Sequence, residues 1–184
     1  MAEGGYKIRD QNAIHFITFA VVEWIDVFTR SMYADIVFAS LNHCQKTKGL
    51  NIHAWVIMSN HIHLIISVSS SNTLSSVLRD FKKYTSYEIL RTIETNQTES
   101  RRTWMLALFK KAGQTNSRNT NYQFWRQDNH PIELDNNAII EQKINYLHNN
   151  PVAANMVQNA EDYVYSSARD YCGSKGLIDI DFLD

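Results

Sequence analysis

Residues 50–68, LNIHAWVIMSNHIHLIISV, restrict the fold more than any other stretch. Two runs rich in β-branched and apolar residues flank a short polar pair, Ser59-Asn60. That pattern reads as two strands joined by a tight turn. In the second run Ile62, Leu64, Ile66 and Val68 fall on one face of a strand, and His61 and His63 on the other. The apolar face calls for a cover of helices. The opposite face carries two imidazoles in a place where core packing alone does not require them.

The flanking segments supply such a cover. Residues 13–22 (AIHFITFAVV) read as a strand. Over 29–49, Tyr33, Ile36, Val37, Ser40 and Leu41 fall at helical spacing, and Gly49 is a natural stop. Residues 69–94 read as a long helix with Leu74, Val77, Leu78, Phe81, Tyr84, Thr85 and Ile89 on or near one face and Asn72 or Thr73 as N-cap. A polar segment, 95–121, holds a short helix around 104–110. NYQFWRQ (121–127) is the expected fourth strand, and 134–150 reads as a helix ending before Pro151. The order strand, helix, strand, strand, helix, strand, helix matches an α+β, ferredoxin-like antiparallel sheet with helices on one face. The 184 residues fit one domain spanning 1–184, with a C-terminal tail from about residue 160.

Charge does not choose a partner. There are 18 Lys and Arg against 19 Asp and Glu, so any nucleic-acid surface must come from local clustering. The clusters lie in 79–111: Lys82-Lys83, Arg101-Arg102 and Lys110-Lys111. A solvated helix face explains such pairs as well as phosphate contacts do. No run of 18 apolar residues suggests a membrane span, and residues 1–7 lack the apolar stretch of a signal peptide. Cys44 and Cys172 read as lone reduced thiols, and the expected setting is cytoplasmic.

Two histidines two apart on a strand face suit one divalent ion, or are simply half-exposed on a solvated sheet. A second group lies in NYLHNNPV, where Tyr146 and Asn150, four apart, share a helix face. A phenol oxygen is able to attack phosphorus, and an amide oxygen completes a mixed N/O ligand set suited to Mg²⁺ or Mn²⁺. The other reading is Tyr146 in the core and Asn150 as a C-terminal cap.

Five blocks together resemble the HUH single-strand nucleases, and more narrowly the REP-associated tyrosine transposases, relatives of the single-tyrosine insertion-sequence transposases. They are HAWVIMSNHIHLIISV, LRDFKKYTSYEI, FWRQDNHPIEL, INYLHNNPVAANMV and DYVYSSARDY, in that order, and the resemblance covers roughly 13–171. The resemblance implies a ferredoxin-like fold and a metal-dependent transposase and endonuclease acting on single-stranded DNA at palindromic hairpins. Tyr146 is then the nucleophile that forms a 5′-phosphotyrosine link and releases a 3′-hydroxyl. His61, His63 and Asn150 are the implied ligands of Mg²⁺ or Mn²⁺, although many wider relatives carry Gln at the Asn150 position. The implied partner is a single-stranded DNA hairpin, bound by a monomer or a homodimer. Lys82, Lys83, Arg101, Arg102, Lys110, Lys111 and Arg126 are candidate DNA contacts.

Rival readings are a ferredoxin-like nucleic-acid-binding module without turnover, and a metal-binding structural domain. Tyr84 and Tyr87 are rival nucleophiles, Tyr84 fitting a core role better. Trp125, His15 and His53 read first as ordinary sheet residues. His148 points to a different helix face from Tyr146. The 162–171 block either recognises DNA or packs on the domain.

Overall fold

A computed structural model describes residues 8–115 and 121–183. Four antiparallel strands, β1 (His15–Ala20), β2 (Leu50–Ile57), β3 (His61–Val68) and β4 (Ile132–Glu133), lie in the order β2-β3-β1-β4. Helix α1 (Ser31–Lys48) joins β1 to β2, while α2 (Leu74–Thr95) and α3 (Arg102–Gln114) lie between β3 and β4. This is the expected α+β, ferredoxin-like sheet.

Local chemistry sets the element ends. α1 stops where Gly49 takes φ 67, and its N–H returns to the Cys44 carbonyl. A Cβ there would also lie 2.6 Å from that of Ser70. α2 starts at Thr73, whose side chain accepts the Ser76 N–H at 3.2 Å.

Strand periodicity then splits the core in two. Ile17 and Phe19 of β1, Trp55 and Ile57 of β2, and Ile62, Leu64 and Ile66 of β3 pack under Tyr33, Val37 and Leu41 of α1 and Val77, Phe81 and Ile89 of α2. The other face presents Phe16, Ala54, Val56 and Ile65 to Leu147 and the partly buried Ile139, Ile140 and Ile144 of helix α4 (Asn137–Ala153). The cover of helices on one face thus describes α1 to α3, and α4 lies across the opposite face. That face is apolar enough to need its own cover.

Two element readings change. The fourth strand is Ile132–Glu133, and NYQFWRQ contributes only a single bridge, Trp125 with Val21. Both stretches run along β1, but the six residues 126–131 face the four residues 17–20, so the chain bulges between them. His130 at φ 42 and Pro131, which has no N–H to donate, lie in that bulge. α4 also runs past Pro151 to Ala153. So close to the C-terminus a proline removes one intrahelical donor, and the Ala154 N–H still reaches the Asn150 carbonyl at 3.0 Å.

The 162–171 block packs on the domain. It runs along β2, with Ile57 N–H donating to Tyr165 O (2.9 Å) and Ser167 N–H to Trp55 O (2.9 Å). It ends in the short helix α5 (Ala168–Tyr171), where the Tyr171 hydroxyl donates to His53 O (2.9 Å).

A buried carboxylate ties the helices to the loop after β1. Glu99 accepts from the Tyr33 hydroxyl (3.1 Å), Arg101 Nε (3.0 Å) and Arg30 Nε (2.8 Å). Hydrogen bonding from Arg101 holds it at a pKa of about 2. Arg101 also donates to Asp26 O (2.7 Å). We expect Glu99→Ala, which strands two guanidiniums and a buried phenol, to lower stability by about 3 kcal/mol. Urea unfolding of the variant and wild type checks this.

Candidate active site

His61 and His63 lie on the α4 face of β3, with ring centroids 4.8 Å apart. His63 pairs across the sheet with Thr18, whose hydroxyl meets its Nδ1 at 2.8 Å. Phe16 stacks on the same ring at 5.1 Å. The Nδ1 of His61 donates to the side-chain oxygen of Asn60 (2.8 Å), so the proton sits on Nδ1 and Nε2 carries the lone pair. Burial lowers the pKa of both rings. His63 falls to about 3, with the charges of His61 and Lys143 adding to the effect. Neutral imidazoles are the form that ligates a metal.

Helix α4 brings the second group. Asn136 caps it, accepting the Ile139 N–H at 3.0 Å, and Leu147 anchors it to the sheet. Tyr146 stands 52% exposed at the edge of this contact, its ring 5.5 Å from His63 and 5.9 Å from Phe16. Asn150 donates to Tyr146 O (3.2 Å), and its amide partly offsets the lowering of the His61 pKa by burial. The Lys143 ammonium lies 5.0 Å from the Phe16 ring centre and 5.6 Å from that of Tyr146. One site therefore gathers two neutral imidazoles, an amide, an accessible phenol and a cation.

The model of the family described as "Transposase IS200 like" matches residues 10–120. The chain belongs to that family. The matched span includes the His61/His63 strand and stops short of α4. The fold is similar to that of a REP-associated tyrosine transposase bound to a REP hairpin. The TM-score is 0.66 at 16% identity, over 100% of this chain and 94% of the other. A second solved structure, a Deinococcus radiodurans R1 protein described as a transposase, gives a TM-score of 0.45 at 13% identity, over 80% of this chain and 98% of the other. No curated protein matches the chain.

In this IS200-like transposase the other basic candidates, Arg126 excepted, lie apart from the histidine face. Lys82 donates to Arg126 O and Asn129 Oδ1, both at 2.8 Å, and burial lowers its pKa to about 8. It pins α2 to the bulge, so two of its three donors are already engaged. Arg101 is held by Glu99 and Asp26. Sequence spacing had suggested phosphate contacts for both, but their heads turn inward. Lys83, Lys110 and Lys111 are exposed and Arg102 half-buried, on helices packed against the opposite sheet face. Arg126 is exposed beside Trp24, with its guanidinium carbon 5.4 Å from the indole centre.

Tyr84 and Tyr87 are both exposed, on α2, so Tyr84 is not a core residue. Trp125 is buried and donates to Thr85 Oγ1 (3.0 Å). His15, His53 and His148 are buried, the last bonded to Ser167 Oγ at 2.8 Å. Lys143, Thr18 and Asn60 escaped the sequence reading. Lys143 stands three residues before Tyr146, a spacing that puts the two on neighbouring helix positions. Thr18 is visible only from strand register.

Among the described residues no three His, Cys, Asp or Glu side chains cluster as a metal site. An ion on the histidine pair would need further ligands, for which the Asn150 side-chain oxygen and oxygens from outside the protein are the candidates. Among the described residues no helix is long and apolar enough to cross a membrane.

Buried neutral histidines make stability depend on acid. Burial lowers His148 from 6.5 to about 4, and His53, His61 and His63 shift the same way. Between the lowered value and 6.5 the unfolded chain binds more protons. Stability is thus complete above about pH 6.5 and drains away as pH falls towards the folded values. Thermal melts in metal-free buffer should show the midpoint dropping by several degrees from pH 7 to pH 4.5. The slope should be shallower in His148→Gln.

Proposed function

We propose that this IS200-like transposase is a DNA strand transferase and single-strand endonuclease that cuts and rejoins DNA beside a hairpin, with Tyr146 as nucleophile. The observation that carries this reading is the half-exposed Tyr146 phenol set against the buried His63 and the half-buried His61. A binding module needs no accessible phenol beside neutral imidazoles. The hairpin partner is suggested by the REP hairpin on the similar REP-associated transposase.

In the proposed reaction the Tyr146 oxygen attacks the phosphorus of a phosphodiester. A P–O bond forms to the tyrosine while the bond to the 3′-oxygen breaks. The phenol proton is lost and the departing strand leaves as a 3′-hydroxyl. One phosphodiester replaces another, so attack by a 3′-hydroxyl on the phosphotyrosyl link rejoins strands without an added energy source. An unassisted phenol is a weak nucleophile near neutral pH. A divalent ion on His61, His63 and Asn150 would polarise the phosphate and stabilise charge on the leaving oxygen. Asn60 and Thr18 hold the two imidazoles in place. Lys143 supplies positive charge where the phenolate and phosphate meet.

Incubating wild type with single-stranded hairpin oligonucleotides and Mg²⁺ or Mn²⁺ should give a covalent adduct on a denaturing gel. Tyr146→Phe should give none. Chelator or His61→Ala should lower its rate at least about 100-fold, and Lys143→Met about 10-fold. An adduct that survives in Tyr146→Phe moves the nucleophile elsewhere. Tight hairpin binding without adduct under any metal returns the protein to the binding-module reading.

A further inference from the structure

Beyond β1 the chain makes a short 3-10 turn, Val22–Trp24, beside the proposed site. Trp24 is 52% exposed, so its indole is not a core residue. Its backbone is nonetheless unusually constrained. Glu23 and Trp24 both take φ 53, a left-handed conformation uncommon outside glycine and held here twice in succession.

Hydrogen bonds from the hairpin turn impose it. Asn60 Nδ2 donates to Trp24 O and to Asp26 Oδ1, both at 3.2 Å. Ser59 Oγ donates to Asp26 Oδ1 at 2.7 Å, and Val21 N–H to Asn60 O at 2.9 Å. The indole so presented stands edge-on to the His61 ring at 6.0 Å. Arg126, whose N–H donates to Ala20 O at 2.8 Å, holds its guanidinium 5.4 Å from the indole centre.

An exposed tryptophan with an arginine against it is the combination on which unpaired bases stack. Stacked bases rise about 3.4 Å per nucleotide and an extended strand more. A ring set 6.0 Å from His61 is therefore within reach of a base flanking a phosphate bound at the histidines. We propose that Trp24 and Arg126 form a stacking site for one unpaired nucleobase and thereby select which phosphodiester of a single-stranded flank meets Tyr146. The proposal rests on the function proposed above. In it Trp24 and Arg126 are specificity-determining residues, and neither takes part in bond exchange.

The test uses a pool of DNA hairpins with randomised single-stranded flanks carrying 5-iodouracil for thymine. It is irradiated with full-length Tyr146→Phe, which binds without cutting, and the crosslinked peptide is found by mass spectrometry. Parallel cleavage mapping uses otherwise wild-type protein carrying Trp24→Ala, Trp24→Phe or Arg126→Ala. Crosslinks should fall on Trp24. Trp24→Ala should bind the pool about 10-fold more weakly and spread cleavage over neighbouring phosphodiesters, whereas Trp24→Phe, which keeps a ring, should restore a single position. Crosslinks confined to another aromatic, such as the exposed Trp104, would overturn the proposal. So would a folded Trp24→Ala that keeps both affinity and cleavage position. Failure of wild type to bind or cut any member of the pool would instead strike the proposed function, and the stacking site with it.

Discussion

The register of β3 against β1 is the constraint on which this molecule rests. β3 is an inner strand, paired with both β1 and β2. Its alternation sends Ile62, Leu64 and Ile66 into the core under α1 and α2, and His61 and His63 to the face covered by α4. A slip of one residue would exchange the two sets, burying imidazoles among the helices and losing the Thr18–His63 contact. Because the same alternation builds the core and sets the two imidazoles beside Tyr146, folding stability and site geometry cannot vary independently.

Around that register the site is assembled from rings. Phe16 stacks on His63, which stands edge-on to Tyr146 and to His61, and His61 in turn to Trp24. Asn60 is the hinge of the arrangement. Its oxygen sets the tautomer of His61, and its amide nitrogen fixes the turn that carries Trp24. One short side chain at a hairpin turn thereby coordinates a histidine on β3 and the turn that follows β1. Burial keeps the imidazoles neutral, so positive charge in this region comes from Lys143 and Arg126 at its margins.

Much of this was legible in the residues. The hairpin, the Gly49 stop and the Thr73 cap follow from short-range chemistry that tertiary context did not overrule. The pairing of Tyr146 with Asn150 follows from helical spacing, and their meeting with the histidines from the family resemblance. The fourth strand did not follow. Phe124 and Trp125 have strand-like composition and do border β1, but a two-residue bulge moves the regular pairing to Ile132–Glu133. The internal partners of Arg101 and Lys82 were hidden for a related reason. Basic residues in a charged helical segment look like a phosphate-binding surface until a buried Glu99 or a carbonyl at Arg126 is found beneath them. The position of α4 on the second face was equally hidden, since its apolar residues do not say which side of a sheet they will cover.

The segment lying along β2 has a consequence for assembly. A sheet extends from one chain into another by adding a strand at a row of unpaired backbone groups. In the described residues Tyr165 and Ser167 occupy that row beside Trp55 and Ile57. At the other margin the outermost strand is only Ile132–Glu133, preceded by a proline with no N–H. Neither margin offers a run long enough to template a foreign strand. Copies of this protein that associate must therefore meet through side chains, or else first peel away their own C-terminal segment.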